Sequence, residues 1–310
     1  MLLRALLHLT YRLFNSVSIL PPPPNSLYLF ILFFLHLDTP KHDGLSNNVR
    51  VLLLDYKKAF DLIDNSLLMI KLSYYDINPY IINWIGEFLS NRLQRVKLAE
   101  DCFSEWQSVP AGVPQGTKLG PWLFIAMIDD LVVPSVNGTV KYVDDTTVYE
   151  VVDRREVSQA QNAIKEITQW SVINKFQLHP KKCKELRISF SRSPAIRELV
   201  SINETAIIDL VKSVKVLGVI IQDNLKWNQH VDATVKQAVK RFYYLLYFLL
   251  QLKHAHAPAK ELVCFYIACI QSVLLYACQV FHYSLPEYLS LRKSTKMSHA
   301  YYIWLQCVIH

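Results

Sequence analysis

The sequence predicts an α+β fold: a mostly antiparallel sheet with helices on one of its faces. Three observations carry this expectation. Apolar and β-branched runs at 51–54, 139–149, 185–190 and 214–221 read as strands. Stretches 156–175 and 228–252 carry apolar residues at helical period. Between these elements, aspartates stand at the ends of strand-like runs, where a carboxylate can face a cation instead of an apolar core.

The first run, 51–54, has no alternation and no breaker, so it reads as a buried strand. It delivers Asp55 at its end. About ninety residues on, Asp144 and Asp145 sit between apolar and β-branched flanks, with Asn137-Gly138 as a turn signal upstream. Neighbouring side chains of a straight strand point to opposite faces. A tight hairpin turn falling on Asp144 and Asp145 is therefore expected, since both can serve one centre only that way. Two divalent cations ~4 Å apart need several carboxylates converging on one point, as two-metal phosphoryl transfer requires. Hard Mg²⁺ takes such oxygen ligands. Together, the two stretches point to a polymerase palm.

Between them lies a loop, 109–121. Three of the chain's seven glycines, Gly112, Gly116 and Gly120, fall within it. Glycine lets a backbone approach a ligand closely, and a glycine-rich loop feeding a helix can present amides to a phosphate. The following apolar stretch, 122–131, reads as that helix.

These residues resemble the reverse transcriptase family, specifically the palm of LINE-type (non-LTR) retrotransposons. Leu54-Asp55-Tyr56-Lys57-Lys58-Ala59-Phe60-Asp61 resembles the family's first palm motif. Gly112 to Pro121 resembles its Pro-Gln-Gly motif, and Tyr142-Val143-Asp144-Asp145 its Asp-Asp hairpin. Leu178 to Lys184 resembles the next motif, with His179 where the family usually carries Asn. Val216-Leu217-Gly218-Val219 resembles the segment that grips the primer.

The resemblance implies an RNA-directed DNA polymerase acting on an RNA template, a DNA primer and dNTPs. Asp55, Asp144 and Asp145 would hold two Mg²⁺ or Mn²⁺ ions, with the Tyr56 carbonyl as a further ligand. Phe60 would lie under the sugar and exclude a 2′-hydroxyl. Gln115 and Gly116 would meet the incoming nucleotide and the template. Lys182, or else Lys181, would protonate the leaving pyrophosphate, and Leu217 and Gly218 would form the primer grip.

Composition agrees with an anionic partner. The chain has 310 residues, 52% of them apolar, and a formal charge of +7. Residues 49–150 hold nine basic and thirteen acidic side chains, whereas 151–310 hold twenty-one basic and eleven acidic. An acidic middle suits cations, and a basic second half suits a phosphate backbone. The six cysteines form no Cys-x-x-Cys pair and no zinc spacing, and read as reduced intracellular thiols.

The expected organisation is an unmatched apolar and Pro-rich segment at 1–46, a palm at 47–222, a helical thumb at 223–290 and an unmatched tail at 291–310. In helix 156–175, Val157, Ala160, Ile164, Ile167 and Val172 are expected on the buried face. In helix 228–252 the apolar stripe is Val231, Val235, Ala238, Phe242, Leu245 and Leu249, with Lys236, Lys240 and Arg241 off it. Pro258 opens a second helix through 277. No match to the family's fingers is found in 1–46, so the chain is expected to be a retroelement fragment of weak or no polymerase activity. A second reading is a non-catalytic nucleic-acid binder of the same fold. A third is anchoring by 1–37, where the apolar run of nine at 27–35 is short of the ~20 residues a span needs. An intracellular location, cytoplasmic or nuclear, without stable membrane association, is the expectation.

Overall fold

A computed structural model of the chain describes residues 48–152, 156–189, 198–203, 206–277 and residue 280. They divide into two compact units, 48–211 and 212–280. The first is built on a five-stranded sheet. In chain order its strands are β1 (Asn48–Leu54), β6 (Gly138–Tyr142), β7 (Asp145–Val152), β8 (Lys184–Ser189) and β11 (Asp209–Val211), and across the sheet the order is β11-β8-β1-β7-β6. β1 lies in the centre and runs antiparallel to both neighbours; β11 alone joins in parallel. Val51, Leu52 and Leu54 of this apolar run are buried, and the central position gives its backbone ladder partners on both edges.

Four helices share one core cluster with Leu52, Leu54 and Val148 of the sheet: α1 (Asn65–Ser73), α2 (Pro79–Leu89), α3 (Leu119–Ile128) and α4 (Ala160–Ile173). Asp64 caps α1 by accepting from the Leu67 amide at 2.9 Å. Asn78 caps α2, with Pro79 in the first turn where its missing N–H costs nothing. α3 begins at Leu119, three residues ahead of the expected start. Gly120 and Pro121 fit its first turn, and the Thr117 hydroxyl accepts from the Gly120 amide. α4 is shorter than expected, and two of the five residues assigned to its buried face are exposed: Val157 at 73% and Val172 at 72%. Ala160, Ala163, Ile164, Ile167 and Ser171 form that face instead.

Two short antiparallel pairs lie between α2 and the glycine loop. β2 (Arg92–Gln94) pairs with β5 (Gln107–Val109), and β3 (Lys97–Ala99) with β4 (Cys102–Phe103). They form one two-stranded arm. A small pair, β9 (Ser201–Ile202) and β10 (Ala206–Ile207), completes the unit.

In the second unit, the run expected as a single strand, 214–221, is a hairpin: β12 (Ser213–Val216) and β13 (Val219–Gln222). Leu217 and Gly218 both take positive φ, 46° and 87°, which turns the chain back. This hairpin was assigned with the palm on sequence grounds and folds within the second unit. α5 (Asn228–His254) follows, with Ala238 and Phe242 buried and Lys236, Lys240 and Arg241 exposed as expected. The helix expected at 258–277 is interrupted: α6 (Ala259–Tyr266), a π-helical turn (Ile267–Gln271) and α7 (Ser272–Leu275). Among the described residues, no helix is long and apolar enough to cross a membrane. Segments 1–46 and 291–310 lie outside the described residues, as does Phe190.

Candidate active site

The end of β1 meets the β6–β7 hairpin. Tyr142 pairs with Asp145, so the two-residue turn is Val143-Asp144, one residue earlier than expected. Val143 takes a positive φ of 53°. Leu54 pairs with Thr146. Continuing that register by one step brings Asp55 level with Asp145. The three carboxylates thus gather at one end of the two central strands.

Their mutual field is visible in Asp145. Partial burial raises its carboxyl above the usual carboxylate range, and the charges of Asp144 and then Asp55 raise it further. Oδ1 of Asp55 is buried and accepts no hydrogen bond. The Lys182 ammonium stands 3.4 Å from it as an ion pair. A buried acceptor without a hydrogen bond, with like-charged carboxylates beside it and a lysine at ion-pair distance, is a place where a cation is favoured. Among the described residues no group of three His, Cys, Asp or Glu side chains closes to metal-binding geometry. The donor set, all carboxylate oxygen, fits Mg²⁺ or Mn²⁺.

The loop carrying Lys182 is held to Asp55 through the backbone. The His179 amide donates to the Asp55 carbonyl at 2.8 Å, and the Lys182 amide to the His179 carbonyl at 2.9 Å. The Tyr56 ring points away from the site. It is 5% exposed, packs against Phe176 and Trp170, and is pushed up to about 12 by burial. Its side chain is therefore core, which leaves the carbonyl as the group able to serve a cation.

Phe60 stacks on Phe124 with ring centroids 4.7 Å apart and remains half-buried. The glycine loop is sealed to the turn that carries it. The Gly112 amide donates to the Ile63 carbonyl, and the Val113 amide to the Phe60 carbonyl. A Cβ on Gly112 would lie 2.7 Å from the Asp61 carbonyl oxygen, and φ there is +81°, so only glycine fits. Gln115 and Gly116 are exposed, and the space around Gly116 is open.

Several contacts around the site were not foreseen. The Gln115 side-chain amide donates to Asp61 Oδ1 at 3.1 Å, tying the loop to the first motif. Arg92 donates to the Ala111 and Gly112 carbonyls, fixing the arm to the same loop. Lys141 of β6 donates to the carbonyls of Ile128, Asp129 and Leu131, which closes the C-terminus of α3. Asp129 and Asp130, a second Asp-Asp pair, serve structure: Tyr75 donates to Asp129, and Lys71 and Trp170 to Asp130. Charge and spacing alone do not distinguish that pair from Asp144-Asp145; only the flanking strand pattern does. Leu217 and Gly218 lie in the second unit, where the Tyr276 hydroxyl donates to the Leu217 carbonyl at 2.6 Å.

Comparison with known proteins agrees with this geometry. The sequence profile described as "Reverse transcriptase (RNA-dependent DNA polymerase)" matches residues 3–221. A second, described as "Alkylated DNA repair protein alkB homolog 8, N-terminal", matches 227–272, within the helical unit. The chain is 23% identical over 237 residues to a probable RNA-directed DNA polymerase from transposon BS of Drosophila melanogaster. It is 27% identical over 196 residues to the RNA-directed DNA polymerase from mobile element jockey of Drosophila funebris. The alignments cover 73% and 58% of this chain but 26% and 20% of those proteins. Among solved structures, Candida tropicalis telomerase matches in its apo form with a TM-score of 0.52 at 13% identity, over 100% of this chain and 55% of that one. Its complex with a fragment of telomeric RNA matches with a TM-score of 0.52 at 14% identity, over 96% and 48%. That level of identity speaks for the fold. With the profile covering well over half of its length, the chain belongs to the reverse transcriptase family.

Proposed function

We propose that this chain carries out RNA-directed DNA synthesis, adding dNTPs to a primer 3′-hydroxyl on an RNA template. The observation that supports this reading is the strand register that brings Asp55 level with Asp145, next to Asp144, at one end of β1 and β7. Those three side chains would hold two Mg²⁺ or Mn²⁺ ions. Bound there, divalent ions favour the ionised primer hydroxyl and offset charge on the phosphoryl oxygens.

The chain's own residues supply the rest. Phe60, held flat by Phe124, presents a ring edge where the sugar of the incoming nucleotide would rest. Gln115, with its nitrogen engaged by Asp61, turns its carbonyl oxygen outward as an acceptor. Asp61 is acceptor-only when ionised, so it fixes which way that amide points. Lys182 pairs with Asp55, so a divalent cation held there would displace its ammonium. Loading of the site would release the ammonium to give its proton to the leaving pyrophosphate oxygen. The exposed Lys236, Lys240 and Arg241 of α5 suit the backbone of a template–primer duplex.

The test is extension of oligo(dT) on poly(rA) by the full chain with Mg²⁺ or Mn²⁺, alongside direct Mn²⁺ titration. Extension is expected to be weak, dependent on divalent cation and lost in Asp144→Asn. Mn²⁺ affinity is expected to fall at least tenfold in Asp55→Asn. Mn²⁺ binding indifferent to both substitutions would overturn the proposal, as would strong extension that survives Asp144→Asn.

A further inference from the structure

The two-stranded arm from Arg92 to Val109 is the most exposed apolar feature of the first unit. Leu93, Val96, Leu98 and Trp106 are each more than half exposed, and Phe103 is 41% exposed. An isolated hairpin of this kind has no core of its own, yet one face is highly ordered. The Arg95 guanidinium lies 3.9 Å from the Phe103 ring centroid and 4.6 Å from that of Trp106. The Lys97 ammonium lies 5.5 Å from the same Phe103 ring. Two cations and two aromatic rings therefore alternate along one face. Glu100 and Asp101 sit at the turn, and Glu105 lies in the irregular stretch between β4 and β5.

We propose that this face of the arm binds single-stranded nucleic acid, as the track for the template strand before it reaches the active site. The chemistry selects that ligand. A guanidinium stacked on rings keeps its in-plane N–H groups free to donate to phosphate. Exposed ring faces accept an unstacked base, which a duplex does not offer. Position supports the same ligand. Arg92, at the root of the arm, donates to the Ala111 and Gly112 carbonyls, three residues before Gln115 and Gly116. The arm thus leaves from the loop assigned above to the nucleotide and template, and to that extent the inference rests on the proposed function.

The test uses the full chain in EDTA, with a fluorescent rU20 oligonucleotide and its hybrid with dA20, followed by anisotropy. EDTA removes any contribution from cations at the carboxylates. Trp106→Ala and Arg95→Ala are each expected to weaken rU20 binding about tenfold, within the range seen for single stacked bases, with hybrid binding unchanged. Arg95→Lys keeps the charge but loses the planar stack, and is expected to fall between wild type and Arg95→Ala. Lys97→Ala is expected to reduce the slope of log affinity against log salt by about one. Leu98→Ala, 77% exposed and not stacked on any ring above, is the control and is expected to change nothing. Unchanged rU20 affinity in both Trp106→Ala and Arg95→Ala would overturn the proposal, as would equal losses for rU20 and hybrid. Failure of the polymerase assay with arm-dependent rU20 binding intact would sink the enzymatic reading alone. Intact, Asp144-dependent extension with arm-independent rU20 binding would sink the arm alone.

Discussion

Glu185→Gln is expected to loosen the sheet that aims Asp55. Glu185 is fully buried in β8, and Arg50 of β1 is 1% exposed. Arg50 Nε donates to Glu185 Oε1 at 2.7 Å, while its other nitrogens donate to the Ser158 hydroxyl at 2.7 Å and the Glu198 carbonyl at 2.9 Å. Arg187, cross-strand from Arg50, also donates to Glu185. One carboxylate therefore offsets two guanidiniums, one of them removed from water. Burial alone would push Glu185 up, but the hydrogen bonds from Arg187 and Arg50 outweigh it and hold the carboxyl below the usual range. Glutamine keeps the shape and one acceptor but removes the charge, taking from buried Arg50 its direct ion-pair partner and leaving Glu150, its cross-strand neighbour, linked to it through the Ser158 hydroxyl. Breaking a buried pair from one side costs about 3–5 kcal/mol; the retained acceptor sets the expectation near the lower end, about 3 kcal/mol. Hydrogen exchange of the β1 amides, read by mass spectrometry, reports that loss within the sheet itself without assuming that both units unfold together. The double variant Arg50→Met/Glu185→Leu should recover most of it, because neither charge is then stranded. The linkage runs in the acid direction. A depressed folded value means the stabilisation is complete above the ordinary glutamate range and is lost as pH falls through the lower folded value. A loss under about 1 kcal/mol in Glu185→Gln would refute the reasoning, because the ion pair would then contribute no more than a surface pair does.

Two further outcomes are expected. Asp145 has a raised carboxyl, so its ionised form is unfavourable in the folded state. In EDTA, Asp145→Asn should be more stable than wild type above the raised range, and the gain should vanish as pH falls below the ordinary aspartate range, where both states are protonated. Solvent screening limits the gain to a few tenths of a kcal/mol, and added Mg²⁺ should reverse the order of melting temperatures. Phe60→Val should remove the ring edge from the sugar site. Incorporation of rNTP relative to dNTP should then rise at least tenfold in single-nucleotide extension; an unchanged ratio would return Phe60 to the role of a core residue stacked on Phe124.

What the sequence made legible was whatever local pattern controls. Val51 to Leu54 had one stable destination, the centre of a sheet, and Asp55 followed from it. The glycines of 112–120 announced close backbone approach, and Gly112 meets the Asp61 carbonyl at a distance no Cβ tolerates. Helical period located α4 and α5 but misjudged the ends of α4. Val157 and Val172 are apolar and nearly in phase, yet they lie outside the stretch that the sheet covers. Likewise 214–221 is apolar but for Lys215. Its reversal depends on Leu217 accepting a positive φ beside Gly218, a cost that no periodicity records. The Arg50–Glu185 pair joins residues 135 apart, and the Gln115–Asp61 bond joins residues 54 apart. Such pairings depend on tertiary register, so composition and spacing could not have found them.

The hairpin turn shows how that register and the chemistry meet. With the turn on Val143-Asp144, the first ladder residue of β7 is Asp145, and the register of β1 brings it level with Asp55. A turn on Asp144-Asp145 would have paired Val143 with Thr146 and slipped β7 by two residues against β6. The turn places a β-branched residue at φ 53°, where strain of order 1–3 kcal/mol is expected. Val143 offsets part of that by packing its side chain against the main core cluster. An aspartate there would accept the backbone more readily but would offer the core nothing. The strained valine holds the tip of the hairpin down, and the two carboxylates that follow it are held near Asp55 despite their mutual repulsion.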